Sequence, residues 1–329
     1  MTEVPPDQKR DHGGGLDAAM AQFGGLRDDW IDLSTGINPT PYPLPGIPAR
    51  FWQALPDSGD QMALKAAARR FWSIPDSAGI AAASGVSALI AALPRLAKPA
   101  TVGIAQPTYN EHAASFAAFG WNVNTHPTHA PVQTPMQASV YVHPNNPDGR
   151  LWSRDTILAN HKTLTIIDES FCDICPQDSH IDLAERPGFI VLKGLGKFWG
   201  LAGVRLGFAV ATPDTIMALE QMLGPWAISG PAQHIGRAAL SDTAWADKTR
   251  AQLFEDAARL DRIVTRKFGA NPRGTSLFRL YDVADAQACF EKLAQARILS
   301  RIFPYSKTLI RLGLPGPAAD WARLQQVLE

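Results

Sequence analysis

The stretch KGLGKFWGLAGVRLGF, residues 193–208, carries Lys197 and Arg205 on a segment with five glycines, a composition that disfavours a helix. A basic, glycine-rich stretch is often a solvated loop. Here, however, the flanking sequences GFIVLK and RLGFAVA are apolar runs of strand length, and they predict a loop held between two buried strands. Because such a loop commonly presents functional side chains, we treat Lys197 and Arg205 as candidate site residues.

The composition narrows the class of partner. A chain of 329 residues with 46% hydrophobic residues can bury a large core and is long enough for two domains. Lys plus Arg equals Asp plus Glu, 31 against 31, so the net charge gives no support for binding nucleic acid or a membrane surface. We therefore expect a small-molecule substrate, and neither nucleic acid nor membrane as a partner.

The N-terminus and the cysteines point to a cytoplasmic protein without a metal site. The sequence MTEVPPDQKRDHGGG has no apolar core of a signal peptide, and no eighteen apolar residues run together. Cys172 and Cys175 form one C-x-x-C pair and Cys289 lies far away, which is too few ligands for a structural zinc site. We expect buried, neutral thiols and no bound metal.

Segments with helical and strand periodicity alternate along the chain. QMALKAAARRFW, GVSALIAALPRLA and NEHAASFAAFG are predicted helices, whereas TVGIAQ, ASVYVHP and TLTIID are predicted strands. This order predicts an α/β fold in which helices sandwich a mostly parallel sheet and ligands bind at the carboxyl ends of the strands.

The C-terminal part has a different pattern. Residues 247–268 are predicted to form one long amphipathic helix, and the segments after it predict a compact α+β unit. We expect an N-terminal arm, residues 1–45, that joins the small domain, then a cofactor-binding large domain, residues 46–220, and a small α+β domain, residues 221–329.

Polar and aromatic residues follow several of the predicted strands. SGVS, residues 84–87, opens a helix, where backbone N–H groups can bind a phosphate. Tyr109 follows TVGIAQ, two adjacent amides occur in HPNNPDG (143–149), and Asp168 ends TLTIID.

Each feature alone has an ordinary structural explanation, but together they meet the needs of pyridoxal 5′-phosphate. That cofactor requires a lysine for the Schiff base, an acid at the pyridine nitrogen, a donor to the ring hydroxyl, a flat partner for the ring and an anion cup. The residues that meet these needs are Lys197, Asp168, Asn146, Tyr109, and the SGVS turn with Arg205.

The order of these motifs resembles a known family. SGVS, PTY, NNPDG, DES, GLGKFWGLAGVRLG and LIRLGLPG together resemble the pyridoxal enzymes of the aspartate aminotransferase fold, in the histidinol-phosphate aminotransferase branch. DHGGGLDAAMAQFGG, WIDLSTGINPTPYPLP and GTSLFRLYD are similar to the threonine-phosphate decarboxylases of cobalamin synthesis. The resemblance covers nearly the whole chain and implies a mostly parallel seven-stranded sheet, and a homodimer with the active site at the subunit interface.

The resemblance also implies individual roles. Lys197 matches the Schiff-base lysine, Asp168 the acid at the pyridine nitrogen and Tyr109 the aromatic that stacks on the ring, and these three are the expected catalytic residues. Asn146 matches the donor to the ring hydroxyl and Arg205 the arginine at the cofactor phosphate. The turn that matches the phosphate cup consists of Gly85, Val86 and Ser87.

For the substrate, the resemblance implies a second set of residues. Arg311 in LIRLGL matches the arginine that binds the substrate carboxylate, and Arg301 in ILSRIF matches one that binds a distal phosphate. His12 and Gly36, the latter in STGIN, match the arm that closes over the substrate, and Asn146 also faces the substrate.

Three positions depart from the family pattern. Gly194 stands where relatives often have a serine, Leu55 where a tyrosine usually reaches the neighbouring subunit's phosphate, and Phe171 where many transaminases have a tyrosine bonded to the ring hydroxyl. The loss of three hydroxyls predicts weaker retention of the cofactor.

Three functions follow from these residues. The first, which the resemblance implies, is decarboxylation of L-threonine O-3-phosphate to (R)-1-amino-2-propanol O-2-phosphate. The second is transamination by a histidinol-phosphate or aromatic aminotransferase, and the third is ligand binding with weak catalysis. The first two differ in which bond stands perpendicular to the cofactor ring, Cα–COO⁻ or Cα–H, and the motifs of the site leave that choice open. Only the N-terminal resemblance favours decarboxylation.

Overall fold

The computed structural model describes residues 12–127, 136–269 and 271–329. The first eleven residues of the predicted N-terminal arm lie outside them. The chain divides into two compact units: unit 1 contains the residues up to Gly36, Asp256–Arg273 and Phe278–Glu329, and unit 2 contains Ile37–Glu255 and Gly274–Leu277.

The helices and strands are numbered in chain order. The helices are α1 (Leu16–Phe23), α2 (Arg50–Gln53), α3 (Ser58–Trp72), α4 (Val86–Ala92), α5 (Asn110–Ala118), α6 (Arg154–Ala159), α7 (Pro213–Leu223), α8 (Gly230–Leu240), α9 (Thr243–Phe268), α10 (Ala286–Gln295) and α11 (Ala318–Leu328). The strands are β1 (Ile31–Asp32), β2 (Gly79–Ala83), β3 (Thr101–Gln106), β4 (Asn122–Pro127), β5 (Ala138–Val142), β6 (Leu164–Asp168), β7 (Phe189–Gly194), β8 (Gly207–Ala211), β9 (Arg273–Thr275), β10 (Phe278–Asp282), β11 (Ile298–Leu299), β12 (Arg301–Phe303) and β13 (Ser306–Gly313). None of the helices in the described ranges combines the length and the apolar composition that crossing a bilayer needs.

Unit 2 is built on a seven-stranded sheet with the order β2-β8-β7-β6-β5-β3-β4. Strand β8 runs antiparallel to both of its neighbours, and the other pairings are parallel. Every residue of β5, β6, β7 and β8 is buried, because these apolar runs have both faces covered, as is usual for parallel sheets. The prediction of a mostly parallel seven-stranded sheet is confirmed.

The carboxyl ends of the parallel strands bring the predicted polar residues to one edge of this sheet. Val142 at the end of β5 lies opposite Asp168 at the end of β6, and Asp168 lies opposite Leu192 of β7. Because the strands are parallel and in register, the segments that leave their carboxyl ends start close together.

Unit 1 contains a smaller antiparallel sheet and a separate parallel strand pair. In the sheet, β13 pairs with both β10 and β12, and elsewhere β1 pairs in parallel with β11. A small core packs beside this pair, with Leu16 and Ala19 from α1 and Leu299 from β11. In the same unit, Asp261 accepts hydrogen bonds from Arg279 and Tyr281 and so connects α9 to β10.

The chain passes between the units at a different point from the expected domain boundary. Residue 220 lies inside α7 of unit 2, whereas the change to unit 1 occurs between Glu255 and Asp256, within α9. The division into residues 1–45, 46–220 and 221–329 therefore stays a proposal. The long helix predicted over residues 247–268 is present and begins earlier, at Thr243.

Candidate active site

A cavity of about 230 Å³ lies at the carboxyl edge of the seven-stranded sheet in unit 2. It brings together side chains from five separate parts of the sequence. All eight residues that were predicted to bind a cofactor line it: Gly85, Val86, Ser87, Tyr109, Asn146, Asp168, Lys197 and Arg205.

One end of the cavity is suited to an anion. Gly85 precedes α4 with φ +86°, and a Cβ atom there would lie 2.5 Å from Nη2 of Arg205. Gly207 at the start of β8 packs closely on the same turn, since its Cβ would lie 2.4 Å from the backbone N of Val86. Arg205 itself has φ 54°, in the left-handed region that is uncommon for residues other than glycine. Two glycines thus let the backbone of this turn and the Arg205 guanidinium approach each other closely.

A buried carboxylate marks another side of the cavity. Asp168 is fully buried; its Oδ2 accepts a hydrogen bond from Nε2 of His112 at 2.8 Å, and its Oδ1 accepts from the N–H and the hydroxyl of Ser170. Burial alone would raise the pKa of Asp168, but the hydrogen bonds from His112 and Ser170 outweigh it and hold the pKa below its ordinary value. Asp168 is therefore an anion at neutral pH.

Sequence reasoning missed His112. It lies on α5 three residues after Tyr109, which caps the N-terminus of that helix. The two rings meet edge to face with their centroids 6.2 Å apart, and His112 is completely buried. The spacing Tyr-x-x-His at the start of a predicted helix was the signal that could have found it.

The two adjacent amides after β5 have different environments. Asn145 is buried, and its side chain bonds with Thr108, the carbonyl of Pro107 and Asp148. Asn146 lines the cavity. Of the two amides, Asn146 is therefore the one placed to face a ligand.

The backbone of Lys197 is held by residues far away in sequence. The carbonyl oxygen of Lys197 accepts a hydrogen bond from the N–H of Asn38 at 3.0 Å, and the Asn38 side chain donates to the carbonyl of Phe198 at 2.9 Å. The Lys197 ammonium lies 5.4 Å from the ring centroid of Phe171, which also lines the cavity. The predicted Schiff-base lysine thus belongs to a segment whose backbone is held in place by Asn38.

The three departures from the family pattern have distinct surroundings. A Cβ on Gly194 would lie 2.8 Å from Cγ2 of Val86, so the Val86 side chain occupies the space that a residue at 194 would need. Phe171 is buried in the cavity wall, and Leu55 is 64% exposed. Their effect on cofactor retention stays a prediction.

The residues of the cavity fit pyridoxal phosphate. The ionised Asp168 has about four acceptor positions, of which the described hydrogen bonds use three, so Oδ2 keeps one for a pyridinium N–H. The glycine cradle at Gly85 and Gly207 leaves room at the Arg205 guanidinium for a phosphate.

The predicted substrate residues lie in unit 1. Arg301 of β12 pairs directly with Arg311 of β13, so the two guanidinium groups start from the same face of the sheet. Arg311 is buried and donates from Nη2 to the carbonyl of Ser34 at 2.7 Å. Burial and the neighbouring Arg301 lower the pKa of Arg311 to about 10. Two like charges in this position favour the binding of an anion.

The N-terminal arm meets the same part of unit 1. The N–H of Gly14, two residues after His12, donates to Oγ of Ser34 at 2.7 Å. Ser34 is buried two residues before Gly36, in the STGIN turn, and its carbonyl is the group that Arg311 contacts. Unit 1 thus places the segments of His12 and Gly36 at the arginine pair.

A group of possible metal ligands lies in unit 2, outside the lining of the cavity. His143, Glu169 and Cys172 offer ligand atoms within 4.8 Å of one another among the described residues. These atoms are already engaged, because Glu169 pairs with Lys193 and His143 Nδ1 accepts from the N–H of Trp152. Cys172 is buried, and its hydrogen bond with Cys175 and its burial raise its pKa. The expected burial of all three thiols is wrong for Cys175, which follows a short helical turn, and for Cys289, which lies within the amphipathic helix α10, because both are only half-buried.

Both the sequence and the fold of this chain are similar to those of known proteins. The sequence model of the family described as aminotransferase class I and II matches residues 29–325. The chain is 38% identical to threonine-phosphate decarboxylase of Pseudomonas aeruginosa over 97% of both chains, and 38% identical to that of a Sinorhizobium species over 96% and 97%. Among solved structures, it resembles the histidinol-phosphate aminotransferase of Sinorhizobium meliloti in complex with pyridoxal 5′-phosphate, with a TM-score of 0.78 and 20% identity, over 100% of this chain and 98% of that one. A likeness at that identity concerns the fold.

The glycine cradle leads to a first prediction. In Gly85→Ala, the new methyl group would lie 2.5 Å from Nη2 of Arg205 on a backbone with φ +86°. We expect the Kd for pyridoxal phosphate, measured by absorbance titration, to rise about 10- to 100-fold, because overpacking and strain of this kind cost about 1–3 kcal/mol. Gly203→Ala is the matched control, since its Cβ meets nothing within 4 Å. Equal Kd values for the two variants would remove Gly85 from the phosphate cup.

The contact between His112 and Asp168 leads to a second prediction. In His112→Leu the buried carboxylate loses one donor, so burial raises the pKa of Asp168 and the carboxylate is lost at a higher pH. We expect kcat to fall about 10- to 100-fold, since a hydrogen bond to a charged group contributes about 1.5–3 kcal/mol, and the acid limb of the pH–kcat profile to move upward. His161→Leu, which removes a histidine stacked on Phe189 outside the cavity, is the control. An unchanged pH profile in His112→Leu would contradict this role.

Proposed function

This chain belongs to the family of class I and II aminotransferases and is a pyridoxal-phosphate enzyme, and within this family we propose that it decarboxylates L-threonine O-3-phosphate. The products would be carbon dioxide and (R)-1-amino-2-propanol O-2-phosphate. The observation that carries the choice of reaction is the similarity to two threonine-phosphate decarboxylases at 38% identity along almost the whole chain. The histidinol-phosphate aminotransferase neighbour supports the fold alone, so transamination is the second candidate.

The cavity residues supply the groups that such a reaction needs. When bound, pyridoxal phosphate provides an electron sink for the bond that breaks at Cα. We assign the covalent link with the cofactor to Lys197. The Asp168 carboxylate, which is anionic because of His112 and Ser170, would keep the ring nitrogen protonated. Tyr109 would stack on the ring, Asn146 would donate to the ring hydroxyl, and Arg205 with the Gly85 turn would bind the cofactor phosphate.

The arginine pair supports a substrate with two anionic groups. Arg301 and Arg311 lie opposite each other on neighbouring strands, so their two guanidinium groups start side by side and can bind anionic groups together. We assign the carboxylate to Arg311 and the distal phosphate to Arg301. Binding both ends of the substrate would orient the Cα–COO⁻ bond, since binding energy from remote groups can position the reacting bond.

The assembly, compartment and pathway are further parts of the proposal. We propose a homodimer with its active site at the subunit interface and supply of the product to cobalamin synthesis, as the family resemblance implies. A cytoplasmic location is a separate part of the proposal. A homodimer would cover some of the large apolar side chains that are exposed on unit 2. They include Leu44, Trp52, Leu55, Met62 and Trp226.

The reaction can be tested directly. Threonine phosphate and pyridoxal phosphate are added to the purified protein, and the release of carbon dioxide is measured with and without 2-oxoglutarate. We expect release that does not need 2-oxoglutarate, and a Lys197→Ala variant that has no release and no borohydride-reducible link to the cofactor. Turnover that depends on 2-oxoglutarate would instead support the aminotransferase.

The phosphate contact gives a separate prediction. Arg301→Lys keeps the charge but loses the planar fork that makes paired hydrogen bonds, so we expect kcat/KM for threonine phosphate to fall about 30- to 1,000-fold, or about 2–4 kcal/mol. Free threonine should be a poor substrate of the unaltered enzyme. Arg262→Lys, an exposed change on α9 of the same unit, is the control. Equal kcat/KM for threonine and its phosphate would argue against the phosphate site.

A further inference from the structure

A buried cluster of charges lies behind the strands that carry Asp168 and Lys197. Successive side chains of a strand point to opposite faces, so Glu169 faces away from Asp168, and Lys193 faces away from the cavity-lining Gly194. Lys193 and Glu169 form an ion pair in which both side chains are at least 98% buried. The cluster therefore lies on the face of the sheet opposite the cavity, in unit 2.

Asp173 extends this cluster toward the lysine segment. Its Oδ1 lies 3.9 Å from Nζ of Lys193 and accepts a hydrogen bond from the indole N–H of Trp72 at 2.8 Å. Its Oδ2 accepts from the indole N–H of Trp199 at 3.0 Å. Trp199 follows Lys197 by two residues, whereas Trp72 ends α3. One carboxylate thus connects two structural parts, of which only one carries the predicted Schiff-base lysine.

The residues after Lys197 are held from several directions. The Trp199 ring stacks on Trp245 with a centroid distance of 5.1 Å, and its carbonyl accepts from the N–H of Tyr42. Arg250 donates from Nε to the backbone carbonyl of Asp173 at 2.7 Å and lies over the ring of Phe198 at 5.3 Å. Among these contacts, the hydrogen bond from the Trp199 indole joins the lysine segment directly to the side-chain carboxylate of Asp173.

A buried acid at this position needs a reason other than stability. Burial raises the pKa of Asp173, and the charge of Lys193 and the two indole N–H groups only partly oppose this effect. Buried ion pairs are often no more stabilising than apolar residues of similar volume, although a carboxylate with fixed donors defines geometry well. We propose that Asp173 is a positioning residue, which holds Lys197 in register with the cavity through the Trp199 indole.

This inference rests on the proposed role of Lys197 but not on the substrate. The visible absorption band of the Schiff base with pyridoxal phosphate reports the surroundings of the Lys197 nitrogen without any substrate. Loss of that band in Lys197→Ala tests the role of the lysine first. A failure of that test is then distinguishable from a failure of the positioning by Asp173.

Two matched variants test the positioning. Trp199→Phe and Trp72→Phe each remove one indole N–H from the same carboxylate, at 3.0 and 2.8 Å, and each keeps an aromatic ring. Three quantities are measured: the pH midpoint of the Schiff-base band, Tm, and the rate at which the Lys197 amine of the cofactor-free protein is acetylated. We expect Trp199→Phe to shift the midpoint by about half a pH unit or more and to change the acetylation rate. We expect both variants to lower Tm by similar amounts. Trp72→Phe should leave the pH midpoint of the Schiff-base band and the acetylation rate unchanged.

The outcomes separate positioning from simple packing. Displacement of the lysine also predicts that Trp199→Phe lowers kcat about tenfold or more at constant KM. An unchanged midpoint in Trp199→Phe, or equal shifts in both variants, would overturn the proposal. If Trp199→Phe does not fold, Asp173→Leu takes its place, because leucine accepts neither N–H, and the same midpoint shift is expected.

Discussion

The ionised carboxylate of Asp168, buried at the end of a central strand, sets the main constraint on unit 2. Placing a charge there is costly unless every oxygen finds a donor. His112 from α5 and Ser170 from the next turn supply those donors, so the helix and the loop after β6 must pack where they do. The same arrangement keeps Asp168 anionic and leaves one acceptor position for a ligand. The same hydrogen bonds therefore offset the cost of burying the Asp168 charge and prepare the carboxylate for a ligand.

Close approach of backbone segments is the second constraint. Gly85 and Gly207 permit contacts that a Cβ would prevent, and they bring the helix turn after β2 against β8 and Arg205. Val86 takes up the space beside Gly194, so a hydroxyl at position 194 has no room unless Val86 changes. The absence of a serine there is thus part of a local packing solution, and it does not by itself indicate a damaged site.

In unit 1, the charged side chains of the candidate site are positive, whereas Asp168 in unit 2 is negative. Arg301 and Arg311 repel each other, and burial adds to this repulsion, which makes the pair receptive to anions. On the face of the unit 2 sheet opposite the cavity, by contrast, Lys193 forms an ion pair with Glu169 and lies 3.9 Å from Asp173.

The sequence by itself determined the sheet type and most of the cavity lining. Strand runs such as LTIID and FIVLKG are local patterns, and parallel strands necessarily collect their carboxyl ends at one edge, so Asp168, Asn146 and the lysine loop could be placed together in advance. Tertiary structure alone decided the contacts between distant segments. His112 meets Asp168 across 56 positions, and Trp199 meets Asp173 across 26, on opposite sides of one sheet. Such pairs depend on how helices and loops pack, which periodicity does not encode. The location of the unit boundary within α9 and the direct pairing of Arg301 with Arg311 had to come from the fold for the same reason.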